Sequence, residues 1–204
     1  MIENGATVYE GDGVYNGATV YEGDGVYNFK TNDFIDVEIG GIIYPSKKIG
    51  GLIWICKNLE NEIGTLNSDY KEYDKSKYGL LYKVGSVDSG NVKNFVDGIG
   101  DGWRIPTSVD GQNLKNYLVG IGLNPVYALK AKSNLWNTNN GTNETGFSAL
   151  PSGDYSTQIE HIGDYFHMHL KNRYQFWIGS NSWEVGGGLV PTGYYFALRL
   201  CKDA

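Results

Sequence analysis

Gly102-Trp103-Arg104-Ile105-Pro106-Thr107, with Ser108-Val109-Asp110 directly behind it, is the stretch in which the chain declares its fold class. Trp103 reads as a core residue of an extended segment. Pro106 ends that segment, because its ring fixes φ and it has no N–H to give. Thr107 offers a hydroxyl N-cap, and Asp110 follows at the spacing of a capping box. Leu114, Tyr117, Leu118 and Ile121 then supply an apolar helix face, which Gly120 and Gly122 stop. A shorter helical turn is expected over residues 126–131.

Outward from this helix the chain reads as strand and loop. Phe34, Val37, Ile39, Ile42 and Tyr44 alternate, and Ile49 and Leu52-Ile53-Trp54-Ile55 follow. Residues 60–102 are polar and Gly/Asn/Asp/Lys-rich, interrupted by Tyr78-Gly79-Leu80-Leu81-Tyr82, a short buried strand or a helix start. Beyond Asn137, strands are expected at 165–170, 176–178 and 194–201. The fold class is α+β: a few antiparallel strands, one good helix and long connections, of the kind that carry function. A total of 204 residues holds one such domain and an appendage. Gly 29 and Tyr 16 suit a turn-rich β protein.

The appendage is visible as a repeat. Asn4 to Tyr15 (NGATVYEGDGVY) recurs without change at Asn16 to Tyr27, and Val-Tyr returns every six residues within it. Asn16-Gly17 between apolar pairs is a type I′ hairpin signal, and the Glu-Gly-Asp-Gly spacers are turn material. Short strands in a meander follow, with too little apolar surface to stand alone. Residues 1–31 are therefore expected to be an all-β arm for attachment or oligomerisation, and residues 32–204 the main domain. The plainer alternative is a flexible acidic leader.

Charge follows the same division. Of the net charge of -6, residues 1–40 carry eight acids against Lys30, or -7, and the other 164 residues carry 15 acids and 16 bases, or +1. With no Lys/Arg cluster to track phosphates, nucleic acid is not expected as a partner. No apolar run approaches 18 residues, so no membrane insertion is expected. Met-Ile-Glu-Asn-Gly-Ala-Thr shows no basic or apolar leader, which predicts a protein kept in the cytoplasm or released by lysis.

Several segments together resemble the Fibrobacter succinogenes major paralogous domain. They are Ile49-Gly50-Gly51-Leu52-Ile53-Trp54 with Asn58-Leu59, Tyr78 to Tyr82, Gly102 to Thr107, Leu129-Lys130 with Trp136, Gly141 to Pro151, Phe176-Trp177, and Leu198-Arg199-Leu200-Cys201. They stand in that family's order and cover about residues 35–204. The resemblance implies a C-type-lectin-like domain with long loops, related to the formylglycine-generating-enzyme domain and to the variable ligand-binding proteins of diversity-generating retroelements. Such domains bring their terminal strands together. Cys56 departs from the small or acidic residues expected there, and the repeat arm lies outside the family pattern.

The motifs have mechanical readings first. Trp54, Trp103, Pro106, Phe147, Trp177 and Cys201 are read as structural. Asn143 and Glu144 are oxygen ligands of the kind Ca²⁺ takes, but fall well short of a full shell, so no cofactor is expected. His167-Met168-His169 on a strand puts both imidazoles on one face, with His161, Glu160 and Asp164 nearby. Lacking a third defined ligand, this face is read as two ordinary histidines, with no metal. Cys56 and Cys201, on strands expected to pair, are buried thiols or a bridge; an oxidase would need a reactive pair. No nucleophile elbow or phosphate loop is present in the sequence.

What remains is residues 154–195, where aromatics interleave with Asn, Ser, Arg and Gly as in adaptable binding loops. Tyr155, Tyr174, Asn181, Trp183 and Tyr194 are the candidate ligand-binding residues, with Phe176, Trp177 and Phe196 expected in the core and Trp183 and Tyr174 exposed. The expected function is non-enzymatic: a bacteriophage virion fibre or decoration component, head or tail, that engages a host-surface glycan or protein. It would be a homo-oligomer, a trimer, attached to other virion proteins through the arm. The alternatives are a cell-surface adhesin of a gut or rumen bacterium, and a formylglycine-type oxidase.

Overall fold

A computed structural model describes residues 20–22, 25–27, 34–138, 141–186 and 188–204. The chain divides into two compact units, Met1–Ile35 and Asp36–Ala204. In the first, β1 (Val20–Glu22) and β2 (Gly25–Tyr27) form an antiparallel hairpin with Val20 opposite Tyr27 and Tyr21 opposite Val26. The Val-Tyr pairs of the second repeat copy thus stand opposite each other in the strand register. The first copy and the Asn16-Gly17 turn lie outside the described residues.

The second unit is α+β. Its N-terminal strands are β3 (Phe34–Ile39), β4 (Ile42–Ile49) and β5 (Leu52–Ile55), each joined to the next by a Gly-Gly pair. The chain's last strand, β14 (Cys201–Asp203), adds to β5 antiparallel with Cys201 opposite Trp54, giving a sheet ordered β14-β5-β4-β3. The terminal strands therefore pair, as expected.

Between them run β6 (Tyr70–Lys71), α1 (Lys75–Tyr78), β7 (Leu81–Lys83), α2 (Val84–Ser89), α3 (Asn91–Ile99), α4 (Ser108–Gly120), α5 (Pro125–Leu129), β8 (Asp154–Tyr155), β9 (Ile159–Glu160), β10 (Phe166–Leu170), β11 (Tyr174–Ile178), β12 (Trp183–Gly186) and β13 (Tyr195–Ala197). The larger sheet is ordered β12-β11-β10-β13-β7-β6, with the β8–β9 hairpin branching from β13.

The long helix α4 has the expected start. Thr107 Oγ1 accepts the Asp110 N–H and the Asp110 carboxylate accepts the Thr107 N–H, closing the capping box. Its buried face differs from the reading: Leu114 and Leu118 are buried, whereas Tyr117 and Ile121 are 43% and 53% exposed. Residues i and i+4 share a face, so Leu114 and Leu118 suffice to seat the helix on the sheet.

Residues 84–99 correct the expectation of a loop, because α2 and α3 lie there with Val84, Val87, Val92 and Val96 buried. The expected single strand 194–201 is in fact two. β13 belongs to the larger sheet, and after it the Leu198 and Leu200 carbonyls accept the N–H groups of Leu59 and Ile55, carrying the chain across to β14. The larger core cluster, which includes Trp54, Leu114, Phe147, Phe166, Met168, Phe176 and Ile178, lies on one face of the larger sheet. A second gathers Ile39, Tyr44, Ile55, Leu59, Tyr82, Val92, Trp103 and Leu198, and a small third joins Val84, Val190 and Phe196.

Candidate functional site

The framework under the site is tied together by a buried cation. Arg199 is fully buried; Nε donates to Asn58 Oδ1 at 2.8 Å, Nη2 donates to the Ser148 carbonyl at 2.8 Å, and Nη1 donates to the Phe147 carbonyl. Its guanidinium also lies 4.5 Å from the Phe147 ring centroid and 5.1 Å from that of Phe166. Burial pushes it down to about 9. Asn58 in turn donates to the Tyr78 carbonyl at 2.8 Å. Four of the sequence segments singled out above thus meet at one guanidinium and one amide.

Trp54, Phe147 and Cys201 are fully buried, and Trp103 and Pro106 are buried as well. Trp177 is the exception. Strand residues alternate faces, so Phe176 and Trp177 cannot both enter one core. Phe176 takes the inner face with Phe166, Met168 and Ile178, and Trp177 takes the outer face, half-buried, its Nε1 donating to Glu184 at 3.2 Å. On the same period, Trp183 stands opposite Ile178 and packs against the core. It meets Phe176 edge-on at 5.7 Å, with Lys115 Nζ 4.9 Å from its centroid. Tyr174 also packs on that core. Trp177, expected in the core, is therefore half-buried on the outer face, and Trp183 and Tyr174, expected to be exposed, are half-buried against the core.

Of the other candidates, Tyr155 is half-buried, edge-on to Tyr195 at 5.3 Å with Lys71 Nζ 4.3 Å above its ring. Asn181 is exposed and accepts the Tyr127 hydroxyl at 3.1 Å. Tyr194 packs on the small third cluster beside Phe196. Tyr155, Tyr174 and Trp183 border one core and Tyr194 another, so the candidates are dispersed rather than gathered.

The outer face of β10 and β11 gathers a different set. Tyr165 meets His161 at 5.3 Å, His167 at 5.6 Å and Trp177 at 5.6 Å, and the rings of His161 and His167 stack at 6.1 Å, 12° from parallel. His167 stands opposite Trp177, and Trp177 opposite Glu184. His161 and Glu184 are exposed and Tyr165, His167 and Trp177 half-buried, which leaves a mixed aromatic and polar surface in contact with water. Gly179 makes room for it: a Cβ there would sit 2.8 Å from Tyr165 Cε1.

Glycine also shapes the loop that brings His161 in. Gly153 has φ +63°, and a Cβ on it would lie 2.1 Å from the Glu160 carbonyl oxygen, so only glycine lets the two ends of the β8–β9 hairpin close. Asp154 follows Gly153 and pairs with Glu160, and His161 comes next. The buried Asp154 carboxylate lies 2.5 Å from His161 Nδ1. One ligand atom each from Asp154, His161 and His167 lie within 4.8 Å of one another.

The two histidines of the 167–169 pair share a face but not a role. His169 is completely buried, its Nε2 donates to the Tyr82 carbonyl at 2.7 Å, and burial pushes it down to about 4. Burial also lowers His167, against the attraction of Asp154. Asn143 Oδ1 accepts the Ser148 N–H and its Nδ2 donates to Ser148 Oγ, bracing the loop. Cys56 and Cys201 are free thiols, each pushed by burial up to about 12. Two open depressions, of about 750 and 490 Å³, share Glu60 and Lys75, and neither is lined by a residue of the outer-face patch. No helix among the described residues is long and apolar enough to cross a membrane.

Sequence reading brings His161 near the His167–His169 pair but joins neither to Trp177, and it does not single out Tyr165 or Asp154 as site residues. For Tyr165, His167 and Trp177 the available signal is their alternation with Phe166, Met168 and Phe176 along the chain. No curated protein and no solved structure matches the chain. The model of the Fibrobacter succinogenes major domain matches residues 48–192, which includes the outer-face patch and all of the quoted segments except Leu198–Cys201, and the chain belongs to that family.

Proposed function

We propose that the chain is a non-enzymatic binding and display protein, in which a C-type-lectin-like domain recognises a host-surface glycan and the N-terminal repeat arm anchors it in a homotrimeric virion fibre. The observation that carries the reading is the outer face of β10 and β11. Tyr165 and Trp177 are half-buried rings in edge contact, with polar groups of His161, Gln175 and Glu184 around them. Rings held this way offer large contact area at little entropy cost, and the polar rim supplies hydrogen bonds. Two buried thiols held protonated suit packing rather than oxidation chemistry.

The arm supports the display half. Its hairpin strands are three residues each, short for independent stability, which favours pairing with sister chains or a host structure. The second reading, a bacterial surface adhesin, uses the same ligand face and differs in what the arm holds.

Glycan-array binding by the intact protein tests the ligand face, with Trp177→Ala and Tyr165→Ala as variants. Loss of binding in both, with unchanged thermal unfolding, is expected; full binding in both refutes the face. Light scattering reads the assembly, and a monomer whose arm is freely cleaved by protease refutes the trimer.

A further inference from the structure

We propose that Asp154, His161 and His167 form a binding site for one divalent transition-metal ion of the zinc class. Three ligand atoms from three separate places in the sheet, the β8 strand, the turn after β9 and the β10 strand, lie within 4.8 Å of one another. Two imidazoles and one carboxylate are the donor set that zinc takes when it keeps a position open to water.

The surroundings favour a metal over a simple ion pair. Asp154 is buried, so its carboxylate is held in place, and it faces two imidazoles rather than one. One divalent ion can take a lone pair from each of the two rings and from the carboxylate at once. Gln175 Oε1 lies 3.3 Å from His167 Nδ1. With the Nδ1 proton given to that oxygen, Nε2 keeps its lone pair, which is the outer-shell arrangement that fixes a ligating histidine's tautomer. Around one zinc ion the donors would stand about 3.4 Å apart, from bonds of about 2.1 Å in a tetrahedron. The His161 side chain is 49% exposed and has room to open from its 2.5 Å contact with Asp154. His169, which sequence spacing would have paired with His167, is engaged by the Tyr82 carbonyl.

The experiment is titration of the untagged full chain with Zn²⁺ by calorimetry, and with Co²⁺ by visible absorption. One ion per chain is expected, with cobalt bands of a low-coordinate nitrogen and oxygen site. His161→Ala and His167→Ala are each expected to lose binding, and Gln175→Leu to weaken it about 10- to 100-fold. His161 is exposed, so its variant stays folded and keeps the test valid should His167→Ala unfold. Zinc is also expected to raise the melting temperature of the native chain but not of His161→Ala. Equal zinc uptake by the native chain and His161→Ala, or no uptake by the native chain, overturns the proposal.

Discussion

Arg199 Nε donates to Asn58 Oδ1 at 2.8 Å across 141 residues of chain, entirely inside the protein. The guanidinium finds two backbone carbonyls and two aromatic rings there besides the amide, and the Asn58 amide nitrogen is used on Tyr78. Removing one partner strands the other. Asn58→Ala and Arg199→Met are each expected to cost roughly 1–3 kcal/mol, the penalty of a buried polar group left without its partner, and the double variant less than their sum, because the second change removes a group already left unpaired. Urea unfolding of the four proteins reads the coupling, and strict additivity would show that the contact is incidental.

The two tryptophans of the β11–β12 hairpin separate stability from surface. Trp183→Ala opens space beside Phe176 and is expected to cost about 3 kcal/mol, whereas Trp177→Ala on the outer face is expected to cost about 1 kcal/mol or less. Thermal melts rank them; equal losses would contradict the assigned faces.

Gly153→Ala places a methyl group against the Glu160 carbonyl at a left-handed backbone position. A penalty of roughly 1–3 kcal/mol is expected, with faster proteolysis within residues 153–165. A variant as protease-resistant as the parent would mean that the hairpin closes differently.

Acid should weaken the α4 start. Burial works against ionising Asp110, but the Arg104 guanidinium and the Thr107 donors outweigh it and hold the carboxyl below the usual range. The folded value lies beneath the unfolded one, so this stability is complete above the ordinary carboxylate value and is lost as pH falls through the folded one. Asp110→Asn is expected to cost about 1–2 kcal/mol near neutrality, less than a buried pair because the Arg104 side chain is 37% exposed. The gap between variant and parent should shrink in acid. A gap that stays constant across that range would rule out the charge as its source.

The thiols offer a simple readout. Buried and raised to about 12, Cys56 and Cys201 should ignore a disulfide reagent at pH 8 in the native chain and both react once it is unfolded. Rapid native reaction would place one of them at the surface.

Local sequence carried the elements whose physics is local. The Thr107/Asp110 capping box is a contact across three residues, and α4 begins where it says; alternation placed β3, β4 and β5; the repeated Val-Tyr pairs stand opposite each other in the hairpin of the second copy. Helix α3 was legible in Val92, Val96 and Ile99, but Gly85, Gly90 and Gly98 around them read as loop, and only burial of the valine face against Tyr82 and Leu59 outweighs glycine's entropy. Trp177 and Trp183 were misjudged because a strand's period says that neighbours differ in face, not which face has a core behind it. That depends on helix α4 covering one side of the sheet. The same holds for Asp154, His161 and His167. Their types were plain in the sequence, but the β8–β9 hairpin, closed by a side-chain-free Gly153, is what sets them within 4.8 Å of each other, and distances across strands exist only once the chain is packed.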